Sequence, residues 1–146
     1  MDNRAAVQTI YDAAGIGDLA AIERVLADDV VLYEPVHHPA VLAQARPRPG
    51  VWRGRDEVIR GVAEVFSALR LTGVDLETLV VDGDRVVGLL DVKDNDVAAK
   101  PYSMPLAEVF RVTDGKVTEI RAFYFDISQL GQLVTEQPDL SGSRSS

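Results

Sequence analysis

Cysteine is absent from the 146 residues. Disulfides, thiol nucleophiles and thiolate metal sites are therefore excluded together, and the composition suits a reducing compartment, so a cytoplasmic location is expected. Histidine occurs only at His37 and His38. Adjacent side chains on an extended segment point apart and make a poor chelate, and no spacing of carboxylates supplies further ligands, so no metal is expected. His38 reads either as a loop-borne proton shuttle that contacts substrate or as a solvated loop residue. Positive charge is scarce too: 15 Lys and Arg stand against 23 Asp and Glu, a net charge of −8. Such a field repels a phosphate backbone, which argues against nucleic acid. Long apolar runs are missing, so no segment can span a bilayer, and the start Met1-Asp2-Asn3-Arg4 lacks the apolar core of a signal peptide. Nothing resembles a phosphate loop, a dinucleotide-binding turn or a nucleophile elbow, and no cofactor is expected.

What is present is a pattern of helices followed by strands. Ala6, Val7, Ile10, Ala13 and Ala14 repeat at helical spacing over residues 3–14, and Gly15 and Gly17 end the run. Asp18 caps a second helix with Leu19, Ile22, Val25 and Leu26 on its face; Asp28 and Asp29 break it. Val30 to Tyr33 read as a strand stopped by Pro35. Residues 35–50 hold Pro35, Pro39, Pro47, Pro49 and Gly50, a long loop that is either a lid or a tolerated insertion. Asp56 opens a third helix with Val58, Ile59, Val62, Val65, Phe66 and Leu69 inward. Strands follow over 74–81, 85–93, 102–113 and 117–125. Asp82-Gly83-Asp84 and Thr113-Asp114-Gly115-Lys116 make two tight turns, and a polar connection spans 94–101. Leu130–Val134 suit a short terminal helix. The expected class is α+β, one domain over residues 1–135 with helices on one face of a mostly antiparallel sheet, then a disordered tail over 136–146.

Strand alternation singles out two carboxylates. Met104, Leu106, Glu108, Phe110 and Val112 share one face, so Glu108 falls among residues that should point to the core. A carboxylate there must be hydrogen-bonded, paired or protonated. Glu108 is thus either a structural ion-pair partner or a site residue. Val30, Leu32 and Glu34 share a face of the first strand, with Glu34 at its end beside the long loop, either a pocket-mouth position or a solvated strand-end charge. On the last strand Ile120, Ala122, Tyr124 and Asp126 alternate together. Tyr124 is a core aromatic or a phenolic donor. Asp126 is a strand-end cap or a further acid/base.

Several stretches taken in order resemble the NTF2-like superfamily, in particular its SnoaL-like and ketosteroid-isomerase-like branches. They are Gly17-Asp18-Leu19, Leu26-Ala27-Asp28-Asp29-Val30-Val31 running into Glu34-Pro35, Trp52-Arg53-Gly54-Arg55, and Glu108-Val109-Phe110-Arg111-Val112-Thr113-Asp114-Gly115-Lys116-Val117. The resemblance covers roughly residues 3–130 and implies a cone: a strongly bent sheet closed by three helices around an apolar pocket, often dimerising through the outer face of the sheet. It also implies roles. Glu34 falls at the general-base position of ketosteroid isomerases and Glu108 at their oxyanion-hole acid. The family's helix tyrosine aligns with Ile10, and Tyr11 lies one position, about 100 degrees, away. Tyr124 is then the replacement donor and Asp126 a further acid/base. Tyr11, His38, Trp52, Phe66, Met104, Phe110 and Ala122 are the expected substrate contacts.

The implied chemistry is proton abstraction beside a carbonyl of a hydrophobic ketone or polyketide-like molecule, giving isomerisation, cyclisation or dehydration. That logic is the one established for ketosteroid isomerase. Epoxide opening by the same carboxyl pair and a non-catalytic pocket for an apolar ligand are the alternatives. The expected partners are a hydrophobic small molecule and a second copy of the chain.

Overall fold

The computed structural model describes residues 1–35, 38, 41, 49–69, 73–94 and 102–127. The expectations for His37, the connection 95–101, the terminal helix and the tail, and most of those for the 35–50 loop, fall outside these residues.

Helix α1 spans Asn3–Ile16. Asp2 Oδ1 accepts from Ala5 N–H at 2.7 Å, which satisfies one of the orphan donors of the first turn. Gly17, with φ of 71°, ends the helix in the left-handed conformation. Its buried face is Ala6, Val7, Ile10, Tyr11 and Ala13. Helix α2, Leu19–Arg24, is capped by Asp18, which accepts from Ala21 N–H at 3.1 Å. Strand β1 runs from Leu26 to Tyr33, so Asp28 and Asp29 lie inside the strand instead of before it. Both are exposed, and Asp28 pairs with Arg55 at 2.7 Å, so the strand carries its acidic residues toward water. A three-residue strand β2, Val51–Arg53, follows the loop and pairs antiparallel with β1. The sequence pattern predicts no strand here, because three residues carry no legible period. Helix α3 spans Arg55–Leu69.

Four strands complete the sheet: β3 Gly73–Asp82, β4 Arg85–Asp94, β5 Tyr102–Thr113 and β6 Lys116–Tyr124. The order is β2-β1-β6-β5-β4-β3. All neighbours are antiparallel except β1 and β6, which run parallel. Register shifts lie between Leu76 and Thr78 and between Arg111 and Val112, and such irregularities bend strands and help the sheet curve. The sheet is not closed into a barrel; α1 packs across β3 to β6, and α3 packs on β1, β2 and α2. Among the described residues no helix is long and apolar enough to cross a membrane.

The core lies between helices and sheet, and Trp52 is its largest fully buried side chain. Its indole fills the space left by Gly61 on α3, where an added Cβ would sit 2.8 Å from three ring atoms. Gly61→Ala gains about 1 kcal/mol of helix propensity. Overpacking costs about 1–3 kcal/mol and outweighs that gain. Urea unfolding followed by tryptophan emission should show net destabilisation; a stabilised variant would mean the indole can move aside.

Candidate active site

The concave side of the sheet and the helices enclose a cavity of about 70 Å³. Its wall is apolar, with Ile10, Leu32, Phe66, Leu90, Phe110 and Ile120 among the lining residues. Among the described residues four polar side chains enter this surface: Tyr11, Glu34, Glu108 and Tyr124.

Period-2 alternation places Glu108 on the inner face of β5, between Leu106 and Phe110. Tyr11 Oη donates to Glu108 Oε1 at 2.8 Å. Tyr11 therefore faces the cavity directly, although it lies one position from the residue that aligns with the family's helix tyrosine. It lies four residues after Val7 on the buried stripe of α1, and that spacing was the available signal. Its ring meets Phe110 edge-on, 5.8 Å between centroids at 85°.

Glu34 follows β1 and is 9% exposed, so it lies inside the cavity wall and not at a mouth. Its backbone N–H donates to Gly50 O at 2.9 Å. Gly50 has φ of 82°, and a Cβ there would lie 2.5 Å from the Glu34 carbonyl oxygen, so only glycine permits this approach. The Tyr124 hydroxyl hydrogen-bonds to the Glu34 carboxyl. The second oxygen, Oε2, is buried without a hydrogen-bond partner among the described residues. The ring of His38 lies 5.4 Å from that of Tyr124 and is fully buried. It is thus no solvated loop residue, and it backs Tyr124 without lining the cavity.

The remaining expected residues divide. Phe66 and Phe110 line the cavity. Trp52, Met104 and Ala122 are buried in the core but do not reach the cavity wall. Asp126 is exposed beyond the end of β6 and away from the cavity, because the strand stops at Tyr124 and alternation no longer governs. Among the described residues no arginine lines the cavity, and no group of three or more His, Cys, Asp or Glu is suited to a metal.

Burial sets the electrostatics. It pushes both carboxyls up from the ordinary range. The negative charge of Glu108 raises Glu34 further, while the Tyr124 hydrogen bond opposes that rise. The Tyr11 hydrogen bond opposes the rise at Glu108. Burial, and then the adjacent Glu108 charge, raise the Tyr11 phenol, which stays a donor. Burial lowers His38 to about 4, so its imidazole is neutral near pH 7. Two carboxyls so coupled lose their protons in separate steps, leaving a range in which one is charged and one neutral.

The sequence profile of the SnoaL-like domain matches residues 7–120. The chain belongs to the SnoaL-like domain family. No protein of curated function matches it at the level of sequence. Solved structures share the SnoaL-like fold. An NTF2-like protein of unknown function from Burkholderia pseudomallei is 22% identical, with a TM-score of 0.76 over 92% of this chain and 99% of that one. A putative SnoaL-like polyketide cyclase from Jannaschia sp. CCS1 is 18% identical, with a TM-score of 0.71 over 93% of each chain. TerC, co-crystallised with polyporic acid, is 19% identical, with a TM-score of 0.72 over 91% and 98%.

The pKa directions fix how stability responds to pH. Carboxyls whose folded-state pKa is raised stabilise fully below the unfolded value of about 4.3, and that stability is lost as pH rises through the folded value. Glu34→Gln should therefore gain stability over the parent at pH 7.5 and lose that advantage near pH 4. His38 acts in the opposite sense. Its contribution, about 3 kcal/mol for a shift from 6.5 to about 4, is present above pH 6.5 and lost as pH falls toward 4. Urea unfolding of the parent, Glu34→Gln and His38→Gln across this range checks both signs.

Proposed function

We propose that this SnoaL-like protein is a cofactor-independent acid/base enzyme that removes a proton beside the carbonyl of a hydrophobic, polyketide-like substrate. The observation that carries the reading is the pair of carboxyls in one apolar cavity, each held by a tyrosine hydroxyl. The polyketide-cyclase description of the Jannaschia protein and the polyporic acid in the TerC crystals support a substrate of this kind.

The geometry supplies both halves of an enolisation. Glu34 accepts from Tyr124 and, among the described residues, its Oε2 has no partner, so Oε2 is the base. The substrate C–H bond breaks, its proton passes to Oε2, and its electron pair moves onto the carbonyl oxygen. Glu108 accepts from Tyr11 through Oε1; in the tautomer of the pair that moves the shared proton to Glu108 Oε2 and leaves Glu34 ionised, it donates to that oxygen as charge develops. Return of the proton to another carbon gives isomerisation, attack of the enolate on a second carbonyl gives cyclisation, and loss of a hydroxide leaving group as water gives dehydration. The cavity has room for only a handful of water molecules, so substrate entry requires its wall to move. The low-dielectric wall then strengthens each of these contacts.

Pairing with a second copy through the outer face of the sheet belongs to the same proposal. Val80 on β3, Leu89 on β4 and Phe123 on β6 are exposed there, and Leu89 and Phe123 flank Ala107 in one cross-strand row. A connected exposed apolar patch marks an association surface.

Proton transfer needs one proton on the carboxyl pair, so kcat/KM should be bell-shaped. It falls in acid as both carboxyls protonate and in base as both ionise, with the two limbs above the usual carboxylate range. On a panel of enolisable ketones, Glu34→Gln should lower kcat/KM by about 10²- to 10⁴-fold and leave the fold intact. Unchanged turnover defeats the reading; epoxide consumption without ketone turnover transfers it to epoxide opening, and tight binding of apolar ligands with no product transfers it to a binding domain. Sedimentation should give twice the 15.9 kDa chain mass, and Phe123→Glu the monomer; a monomeric parent would remove the pairing proposal alone.

A further inference from the structure

Gly88 lies in the middle of β4, opposite Glu108 on β5, with Ala122 of β6 on the other side of Glu108. Its neighbours Val86 and Leu90 are buried, so position 88 faces inward with them. A glycine inside a strand costs stability and packs nothing. The backbone does not explain it, because Gly88 is not among the residues with positive φ. Space does. A Cβ at position 88 would lie 2.2 Å from Tyr11 Oη, 2.8 Å from Cζ and 2.9 Å from Cε2. The phenol cannot simply swing away: its hydroxyl is bonded to Glu108, its ring sits edge-on to Phe110, and Tyr11 is 6% exposed.

We infer that Gly88 is a positioning residue of the active site, its missing side chain forming the seat that holds the Tyr11 hydroxyl on Glu108. The inference rests on the acid/base reading of the carboxyl pair. Tyr11 has one O–H, and the seat commits it to Oε1, which leaves the second oxygen of Glu108 as the one that meets substrate. A methyl group at position 88 displaces the phenol, and Glu108 loses its donor. The titratable groups that share the cavity with Glu108 are Tyr11 from α1, Glu34 after β1 and Tyr124 from β6.

The test compares Gly88→Ala, Tyr11→Phe and the two combined, in full-length protein. NMR of ¹³C-labelled glutamate carboxyls, assigned with Glu108→Gln, reads the Glu108 titration. Gly88→Ala should move its midpoint upward by about half a pH unit or more, as Tyr11→Phe does, because each removes the donor to the ionised form. The combined variant should move it no further than Tyr11→Phe alone, even though the urea midpoint still drops, since the Phe ring still meets the methyl group. On a ketone that the parent turns over, Gly88→Ala should lower kcat more than it changes KM. A Gly88→Ala protein whose Glu108 titrates as in the parent while Tyr11→Phe shifts it overturns the inference. If Gly88→Ala does not fold, Gly88→Ala/Tyr11→Leu decides: recovery of folding once the ring is gone supports the seat, and continued failure overturns it. The two ideas fail separately. Turnover indifferent to Glu34→Gln and Glu108→Gln sinks the enzyme reading and leaves the titration to judge Gly88; loss of turnover in Glu108→Gln but not in Gly88→Ala sinks only the positioning role.

Discussion

An ionised carboxylate taken out of water and left unpaired costs several kcal/mol, and this cavity takes in two, Glu34 and Glu108. The rest of the site follows from that demand. Each carboxyl receives a phenolic hydroxyl, Tyr11 for Glu108 and Tyr124 for Glu34. Both phenols serve as donors, and both tyrosines join the cavity lining. The remaining cost falls on protonation. The negative charge of Glu108 raises Glu34, so a proton on one carboxyl eases ionisation of the other. A pair poised to share a proton is also a pair that can take one from carbon and offer one to oxygen, which is how a stability problem becomes a chemical capacity.

The fold solves the placement through strand direction. Strands β1 and β6 run parallel, with Leu32 beside Ile120 and Tyr33 beside Arg121, so both chains leave the sheet at the same end. Glu34 and Tyr124 are the residues that leave there, and they meet. Strand β5 runs the other way, with Glu108 in mid-strand opposite Ala122 and Gly88, and the missing side chain of Gly88 leaves the room into which α1 lowers Tyr11. Four functional groups thus arrive from three strands and a helix, none more than a short side chain from its backbone anchor.

This division explains how much could be read in advance. The inward direction of Glu108 is a local property of alternating residues and was legible, as were both hairpin turns, the three helices and the family likeness. Glu34 was legible as a strand-end carboxylate, but its burial was not, because the cavity around it is built by residues distant in sequence, from α1 to β6. The parallel pairing of β1 with β6 joins residues about ninety positions apart and leaves no periodic trace. Strand β2 is three residues long and has no period to show. Tyr11 lies one position from the residue aligned with the family's helix tyrosine, yet its i+4 relation to Val7 puts it on the buried stripe. Asp126 was carried past the end of β6 by an alternation that stops where the strand stops.

The misfits among those residues share one location. A glutamate on an apolar strand face, a glycine in a strand interior and a glycine in left-handed backbone are each unfavourable by local rules, and sequences that fold well keep such conflicts few. Here Glu108 and Gly88 are cross-strand neighbours, and Gly50 lies against Glu34. Each conflict is resolved only by another: Gly88 is costly until Tyr11 occupies its place, and Glu108 is costly until Tyr11 donates to it. Substituting any one by a locally better residue would improve its own element and strand its partner. Local disfavour concentrated around one cavity, and mutually compensated there, is the physical mark that separates a site from a core.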